Sequence, residues 1–511
     1  MLTVLKVRTV RTVLVLAVLA VLAVLAVLGV LGVPTVLRVP LAAQQADLRQ
    51  VVSADVAQHQ KAIVSELLEL LAIPNVAADT PNIRRNAAHL QRLFVRHGLT
   101  AEILETDGNP LVYAAADFRK PVTVLFYAHY DGQPVDAKKW NQADPFEPVT
   151  KGEGPDARIY ARSASDDKAP IVALLAALDA LKRAGLEPSV NVHVILDGEE
   201  EASSPSLVPA IGRYRDKLRA DLMVILDGPG HSSGRPTVAY GARGIATLDL
   251  TVFGPKSGVH SGNYGNWMPN PAQRLATLLA SMKDDTGRVT VAGYYDAVSP
   301  LTPEERAMLD AVPEDSARML GTFGVAAPEA AFPKLQDALQ YPTLNVRGLT
   351  SAFVGDGART IVPDRATAAL DIRLVKETPA PDLIAKLRAH IARQGYHLVD
   401  ADPDDATRAA HSKIARLVQK NTPTGAFRTP TADPRARAVI AALTRAYGQP
   451  PVQLRTLGGT VPIAPFIDAL GFPALVVPTV NFDNNQHEEN ENLRLGALYD
   501  AIVTIAAVIR Q

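Results

Sequence analysis

The alternation of apolar and polar positions changes character along the chain. Residues 12–37 are almost wholly apolar, largely a repeat of Val, Leu and Ala. From Asp47 to about Gly241, helical and extended textures alternate. Ile63, Leu67, Leu68, Leu70 and Leu71 fall largely on one helical face, which Pro74 stops. Residues 122–128 form a nearly continuous apolar run, the pattern of a strand buried inside an α/β sheet. Residues 171–181 predict an apolar helix ending near Gly185, and residues 190–196 and 222–226 predict two more strands. All three strands run into polar residues at their carboxyl ends, where open α/β sheets place ligands. From about Arg243 the texture shifts: residues 246–252 and 366–375 read as strands, 271–282 and 381–394 as helices, a set that suits a small α+β domain. Residues 402–433, rich in Pro, Thr and charge, read as a connection. A helix at 435–447 and a strand at 473–477 then resume the first texture.

The fold expected is therefore α/β, with two domains: a central mixed sheet flanked by helices, and a smaller α+β lid inserted into it. The boundaries expected are residues 1–45 for an N-terminal leader, 46–241 and 404–511 for the two parts of the catalytic domain, and 242–403 for the lid. A length of 511 residues agrees, being too long for one ordinary core.

Lys6, Arg8 and Arg11 precede the first apolar run, and Ala42 and Ala43 follow it, the layout of a secretory signal peptide. The run also exceeds the roughly 20 residues that span a bilayer, so an uncleaved anchor is the rival reading. Export to a periplasm or the medium is expected, with membrane attachment only if the segment stays. A net charge of −1 gives no basic face for nucleic acid. The absence of cysteine excludes disulfides, thiolate metal sites and a cysteine nucleophile, so any metal must be held by His, Asp and Glu.

His129 and Asp131 follow the first strand two residues apart, which puts both side chains on one side of an extended segment. His129 suits a metal, with Asp131 accepting from its other ring nitrogen; a strand-end histidine capped by a nearby acid is the plainer alternative. Asp166 and Asp167 open a helix, where carboxylates also simply favour the helix dipole. Glu199, Glu200 and Glu201 follow one buried strand and Asp227 another, while His487 lies in an acidic loop. Singly each has an ordinary reading as turn or surface. Together, two histidines and several carboxylates, mostly at strand ends, are what a paired-metal hydrolytic site requires.

On these residues the chain resembles the zinc aminoacylase and carnosinase family of metallopeptidases, which includes glutamate carboxypeptidase and acetylornithine deacetylase; the carnosinase-like dipeptidases are the most similar branch. The likeness is carried by Ala128-His129-Tyr130-Asp131 with Gln133-Pro134, Trp140, Asp144-Pro145-Phe146, Arg162 through Pro170, and Gly198 through Glu201. It departs at Ser163, Asp167 and Ala169. The resemblance implies two divalent metals, zinc foremost with cobalt or manganese possible. Asp166 would bridge them, with His129 and Asp227 completing one site and Glu201 and His487 the other. Glu200 would be the general base and Asp131 the partner of His129. Val259-His260-Ser261-Gly262 is similar to the segment whose histidine steadies the oxyanion, often in a partner subunit, which implies a homodimer. Arg373 would grip a substrate carboxylate, Asn345 and Thr460 would contact substrate, and Arg455 is a further candidate anchor. The expected reaction is hydrolysis of the amide bond of a dipeptide or of a small peptide's last residue. An N-acyl amino-acid deacylase with the same machinery is the alternative within the class, and an inactive binding protein of this fold is the alternative outside it. The remaining histidines, His97 and His193 among them, have no acidic company in the sequence and read as packing or surface; His231, just after Asp227, is left open as a pocket residue.

Overall fold

A computed structural model describes residues 47–511; the expected leader and its cleavage site lie outside the described residues. Among those residues no helix is long and apolar enough to cross a membrane.

Among the described residues, thirteen strands build the two larger sheets. Strands β1 (Thr100–Leu104), β2 (Leu111–Ala116), β3 (Thr123–His129), β4 (Asn191–Asp197), β5 (Leu222–Ile225) and β6 (Thr237–Ala239) come first. The chain then forms β7 (Gly244–Phe253), β8 (Asn345–Thr350), β9 (Arg365–Leu374), β10 (His397–Leu398) and β11 (Ile414–Gln419). It returns with β12 (Val452–Leu454) and β13 (Ala474–Val476). The first sheet has the order β1-β2-β4-β3-β5-β13-β6-β12. It is mixed: β4, β3, β5 and β13 run parallel at its centre, and β1 and β2 are antiparallel at one edge.

Side chains of β3 explain why the centre reads as an unbroken apolar run. Val124, Phe126 and Ala128 enter one core and Leu125 and Tyr127 the other, so every position after Thr123 is buried. The first core is roofed by the helices Asp47–Leu71, Thr80–Arg96, Lys168–Arg183, Pro434–Tyr447 and Leu495–Ile509, the second by Leu207–Tyr214 and Ala464–Leu470. The helix Leu495–Ile509 is buried on nearly every side, as its almost uniformly apolar sequence requires. Sequence also sets the helix ends. Asp79 caps Thr80–Arg96 and Asp433 caps Pro434–Tyr447, each accepting from a first-turn amide, and Gly448 closes the latter at φ 69°.

The second sheet has the order β8-β9-β7-β11-β10. Ala246, Leu248, Leu250 and Val252 of β7 alternate into a third core beneath the helices Pro271–Ala280 and Ala380–Arg393. Residues 402–433 are not merely a connection: β11 lies within them and pairs with β7 from Leu248↔Gln419 to Phe253↔Ile414, so the sheet continues past residue 403. The charged neighbours of Ile414, Ala415 and Leu417 are the exposed half of an alternating strand, which is why composition concealed it.

Candidate metal centre

Three parallel neighbours, β4, β3 and β5, deliver their carboxyl ends to one edge of the first sheet. His129 ends β3 in register with Asp197 at the end of β4, and Asp227 lies just beyond β5. The loop before Lys168–Arg183 brings Asp166 to the same edge, and the loop after β13 brings His487. Asp166 lies between the two histidines: its Oδ1 is 2.9 Å from His129 Nε2 and its Oδ2 is 3.1 Å from His487 Nε2. Glu201 Oε2 is 3.5 Å from the same His487 nitrogen. Two triads result, His129–Asp166–Asp227 and Asp166–Glu201–His487, each offering ligand atoms within 4.8 Å of one another and both sharing Asp166. Every expected metal ligand is thus in one place.

The electrostatics fit a cation pair. Asp166 Oδ2 and Asp227 Oδ1 are buried without a hydrogen-bond donor, the former only in a poorly aligned charge contact with His487. Burial, then repulsion from Asp166, pushes Asp227 up to about 6 and Glu201 up to about 7. Glu200 is held well above the usual carboxylate range by burial, with Asp227 and Glu201 adding to it. Burial opposes the charge on His129, but its hydrogen bonds to Asp131 and Asp166 hold it well above the usual histidine value. The contact with Asp166 raises His487 to about 9. So many acids at one buried edge repel one another unless positive charge joins them, and oxygen and imidazole donors suit divalent metals.

A profile of the peptidase family M20/M25/M40 matches residues 125–511. The chain belongs to that family. It is 28% identical to the Cys-Gly metallodipeptidase dug1 of Schizosaccharomyces pombe over 84% of this chain and 91% of that one. It is also 28% identical to the human Beta-Ala-His dipeptidase, over 73% of this chain and 71% of that protein. Among solved structures, the M20 family metallo-carboxypeptidase Sso-CP2 from Sulfolobus solfataricus superposes with a TM-score of 0.72 at 30% identity, covering 88% of this chain and 98% of that one. Family, fold class and enzyme class agree with the expectations from sequence.

Behind the triads the family edge is braced by buried hydrogen bonds. Asp131 faces His129 Nδ1 with its main-chain carbonyl at 3.2 Å and its carboxylate at 3.4 Å, and that carboxylate accepts the amides of Glu200 and Glu201, each at 3.0 Å, so one residue orients the histidine and fixes the turn that presents both glutamates. Gln133 donates to Glu201 Oε2 at 2.6 Å. Glu199, unassigned from sequence, accepts the Asn109 amide at 2.8 Å and so ties down a neighbouring loop. A Cβ at Gly198 would lie 2.6 Å from the Tyr130 hydroxyl, so the turn after β4 needs glycine there. Glu491 was missed. It is fully buried and accepts from Arg162 Nη1, the amides of Ser163, Ser165 and Asp166, and Ser165 Oγ, all at 2.8–2.9 Å. Lys168, fully buried, donates to the Leu70 and Ile73 carbonyls at 2.9 Å and fastens the same loop to the first helix. The proximity of Glu491 to His487 was the available signal, but an acidic loop reads as solvated.

The remaining candidates lie apart from the triads. Arg373 Nη1 donates to Thr460 Oγ1 at 2.7 Å, which joins two expected substrate contacts. Asn345 is exposed and donates to Asp371 at 2.8 Å. His260 is exposed on a short strand paired with Ile361, and its Nδ1 accepts the Gly262 amide at 3.0 Å. Arg455 is no free anchor: it is 2% exposed, and Glu305 and Gln340 accept from its guanidinium at 2.7 and 3.0 Å. His231 is satisfied within its own turn by Ser233, and His193 packs edge-on to Tyr113. His97, in contrast, sits between Glu66 and Asp179 at 3.1 and 3.0 Å, acids supplied by two other helices.

Proposed function

We propose that this chain hydrolyses the amide bond of dipeptides, or of the last residue of small peptides, at two divalent metal ions. Asp166 shared between two ligand triads is the single observation that carries the reading, and the names of the metallodipeptidase relatives support the substrate class over acylated amino acids. Zinc is the first choice for the metals, with cobalt or manganese compatible with the same donors. When bound, they would polarise the scissile carbonyl and lower the pKa of the attacking water.

The protein's own groups supply the rest. The substrate enters with its free carboxylate on Arg373, beside Thr460 and within reach of the strand bearing Asn345. Glu200, set by the Asp131 bonds to its turn, takes the proton of the attacking water and passes it to the departing amine. His260 donates to the developing oxyanion, an electrostatic contribution of ~3 kcal/mol where such donors have been removed. Because His260 is exposed and its ring is bonded only to the Gly262 amide of its own segment, we assign that role across a homodimer. Strand β8 supports this: it is an exposed edge carrying Val346 and Leu349, with Phe353 and Val354 exposed beyond it. Part of the same proposal is a catalytic domain of residues 46–241 and 404–511, its second stretch giving β11 to the lid of residues 242–403, behind an export leader or membrane anchor in residues 1–45.

The deciding experiment is a hydrolysis panel with metal-loaded protein, dipeptides against N-acetyl and N-succinyl amino acids, alongside elemental analysis. Dipeptide turnover with two metals per chain is expected. Cleavage confined to the acylated amino acids would transfer the chain to the deacylase alternative, and failure to bind metal would reject the mechanism.

A further inference from the structure

Two half-buried arginines approach each other where the two sheets join, and neither forms an ion pair with an acid. Arg243 directly precedes β7, and Arg373 lies on β9 opposite Ile245 of β7, so adjacent strands carry both to one end of the second sheet. Both reach the loop after β12 of the first sheet: Arg373 through Thr460, and Arg243 Nε through the Gly458 carbonyl at 3.1 Å. Among the described residues neither guanidinium has a carboxylate oxygen within 4.0 Å. Asp371, on the same strand as Arg373, is engaged by Asn345 at 2.8 Å and by Arg347 at 4.0 Å. Nearby Arg455 shows the contrast: a buried structural arginine here has its fork filled by Glu305 and Gln340. Burial, followed by repulsion from Arg373, pushes Arg243 down to about 10, and the charge of Asp371 offsets this only in part.

We propose that Arg243 acts with Arg373 as a two-guanidinium receptor for the carboxyl-terminal residue of the substrate, and that the pair selects an acidic residue there. The proposal rests on the amide-hydrolase reading above and extends it to a substrate class. A guanidinium binds a carboxylate through two parallel N–H bonds, and one fork can serve one carboxylate. A substrate ending in an uncharged residue brings a single carboxylate and leaves one fork of the pair unfilled. An aspartyl or glutamyl end brings two and fills both.

Full-length protein stripped with chelator is titrated calorimetrically with N-acetylglutamate and N-acetylglutamine, which share shape and the α-carboxylate but differ by the second charge. Wild type is expected to bind the glutamate probe about tenfold more tightly, the worth of one charged hydrogen-bonded contact. Arg243→Gln should abolish that preference by weakening the glutamate probe alone. Arg243→Lys, which keeps the charge and the fold but loses the fork, should retain part of it. Arg373→Gln should weaken both probes. Equal binding of the two probes by wild type, or an Arg243→Gln effect equal on both, would overturn the proposal; the latter is what a residue merely propping the Gly458 loop would give. Metal uptake measured on the same preparations separates the two ideas. Probe discrimination without metal uptake would reject the hydrolase mechanism alone, and metal uptake without discrimination would reject the arginine pair alone.

Discussion

Substituting Glu491 tests whether the loop that presents Asp166 is held by a buried charge. The Glu491 side chain is fully buried and accepts five hydrogen bonds at 2.8–2.9 Å, one from Arg162 and four from residues 163–166. At about 1.5–3 kcal/mol for each bond to a charged group, simple addition would reach roughly 8–15 kcal/mol, as much as a whole domain's stability. The five cannot be independent, since one carboxylate makes them all. The better measure is the cost of removing one partner of a buried ion pair, about 3–5 kcal/mol, because Arg162 is left uncompensated at 3% exposure. Glu491→Gln keeps the volume but turns an amide NH2 toward N–H donors, so a loss in that range is expected in guanidinium denaturation of the metal-free protein. The Asp166 amide is one of the donors released, so the ligand it carries loosens as well. Metal affinity should fall about 10- to 100-fold, as when partners of ligands are removed elsewhere, read by competition with a chelating dye. Wild-type denaturation midpoint and wild-type metal affinity in Glu491→Gln would refute the reasoning.

Glu200→Gln should keep its metals by elemental analysis yet lose about 100- to 10,000-fold in kcat, the range of general acid–base catalysis; unchanged turnover would remove Glu200 as the base. Arg373→Ala should raise KM for dipeptides far more than for their C-terminal amides, and an equal effect on both would dismiss the carboxylate grip. Metal uptake at pH 7 should release protons, because the contact with Asp166 pushes His487 up to about 9 in the metal-free protein; calorimetry in buffers of different ionisation enthalpy measures the number, and zero would contradict it. For His97, burial alone would depress the ring, but the hydrogen bonds to Asp179 and Glu66 raise it to about 9 from 6.5. The folded chain therefore binds that proton more tightly, and the stabilisation is complete below pH ~6.5 and fades as pH climbs through about 9, by roughly 2–3 kcal/mol. The difference in denaturation midpoint between wild type and His97→Gln should shrink over that window; a constant difference would discard the His97–Asp179–Glu66 network.

How much of this was legible in sequence depended on how far apart the interacting residues lie. The strands ending at His129 and Asp197 were plain because a run of apolar residues buried on both faces needs no partner to be recognised. His129 and Asp131 were legible as a pair because the spacing itself fixes their side. Strand β11 was obscured because a strand buried on one face shows only half its pattern, and charged neighbours swamp it. The partners of His97 were hidden for a different reason: its acids, Glu66 and Asp179, lie 31 and 82 positions away on other helices, and nothing local announces them. Glu491 carries the same lesson to the metal centre. Among Glu488, Glu489 and Glu491, composition cannot say which one is buried; only the fold, by laying residues 162–166 across its oxygens, distinguishes it.

That distinction also explains how the two ligand triads are kept in step. Asp166 contributes to both, and its backbone amide is anchored by Glu491, four residues from His487. The loop bearing a ligand of the second triad therefore grips the loop bearing the shared one, while Asp131 ties His129 of the first triad to the turn bearing Glu201 of the second. Each triad is held by carboxylates that also reach the other, so displacement of either loop disturbs both. A two-metal hydrolase of the kind proposed would gain from this arrangement, because the geometry at Asp166 is set from two sides through Asp131 and Glu491, both fully buried.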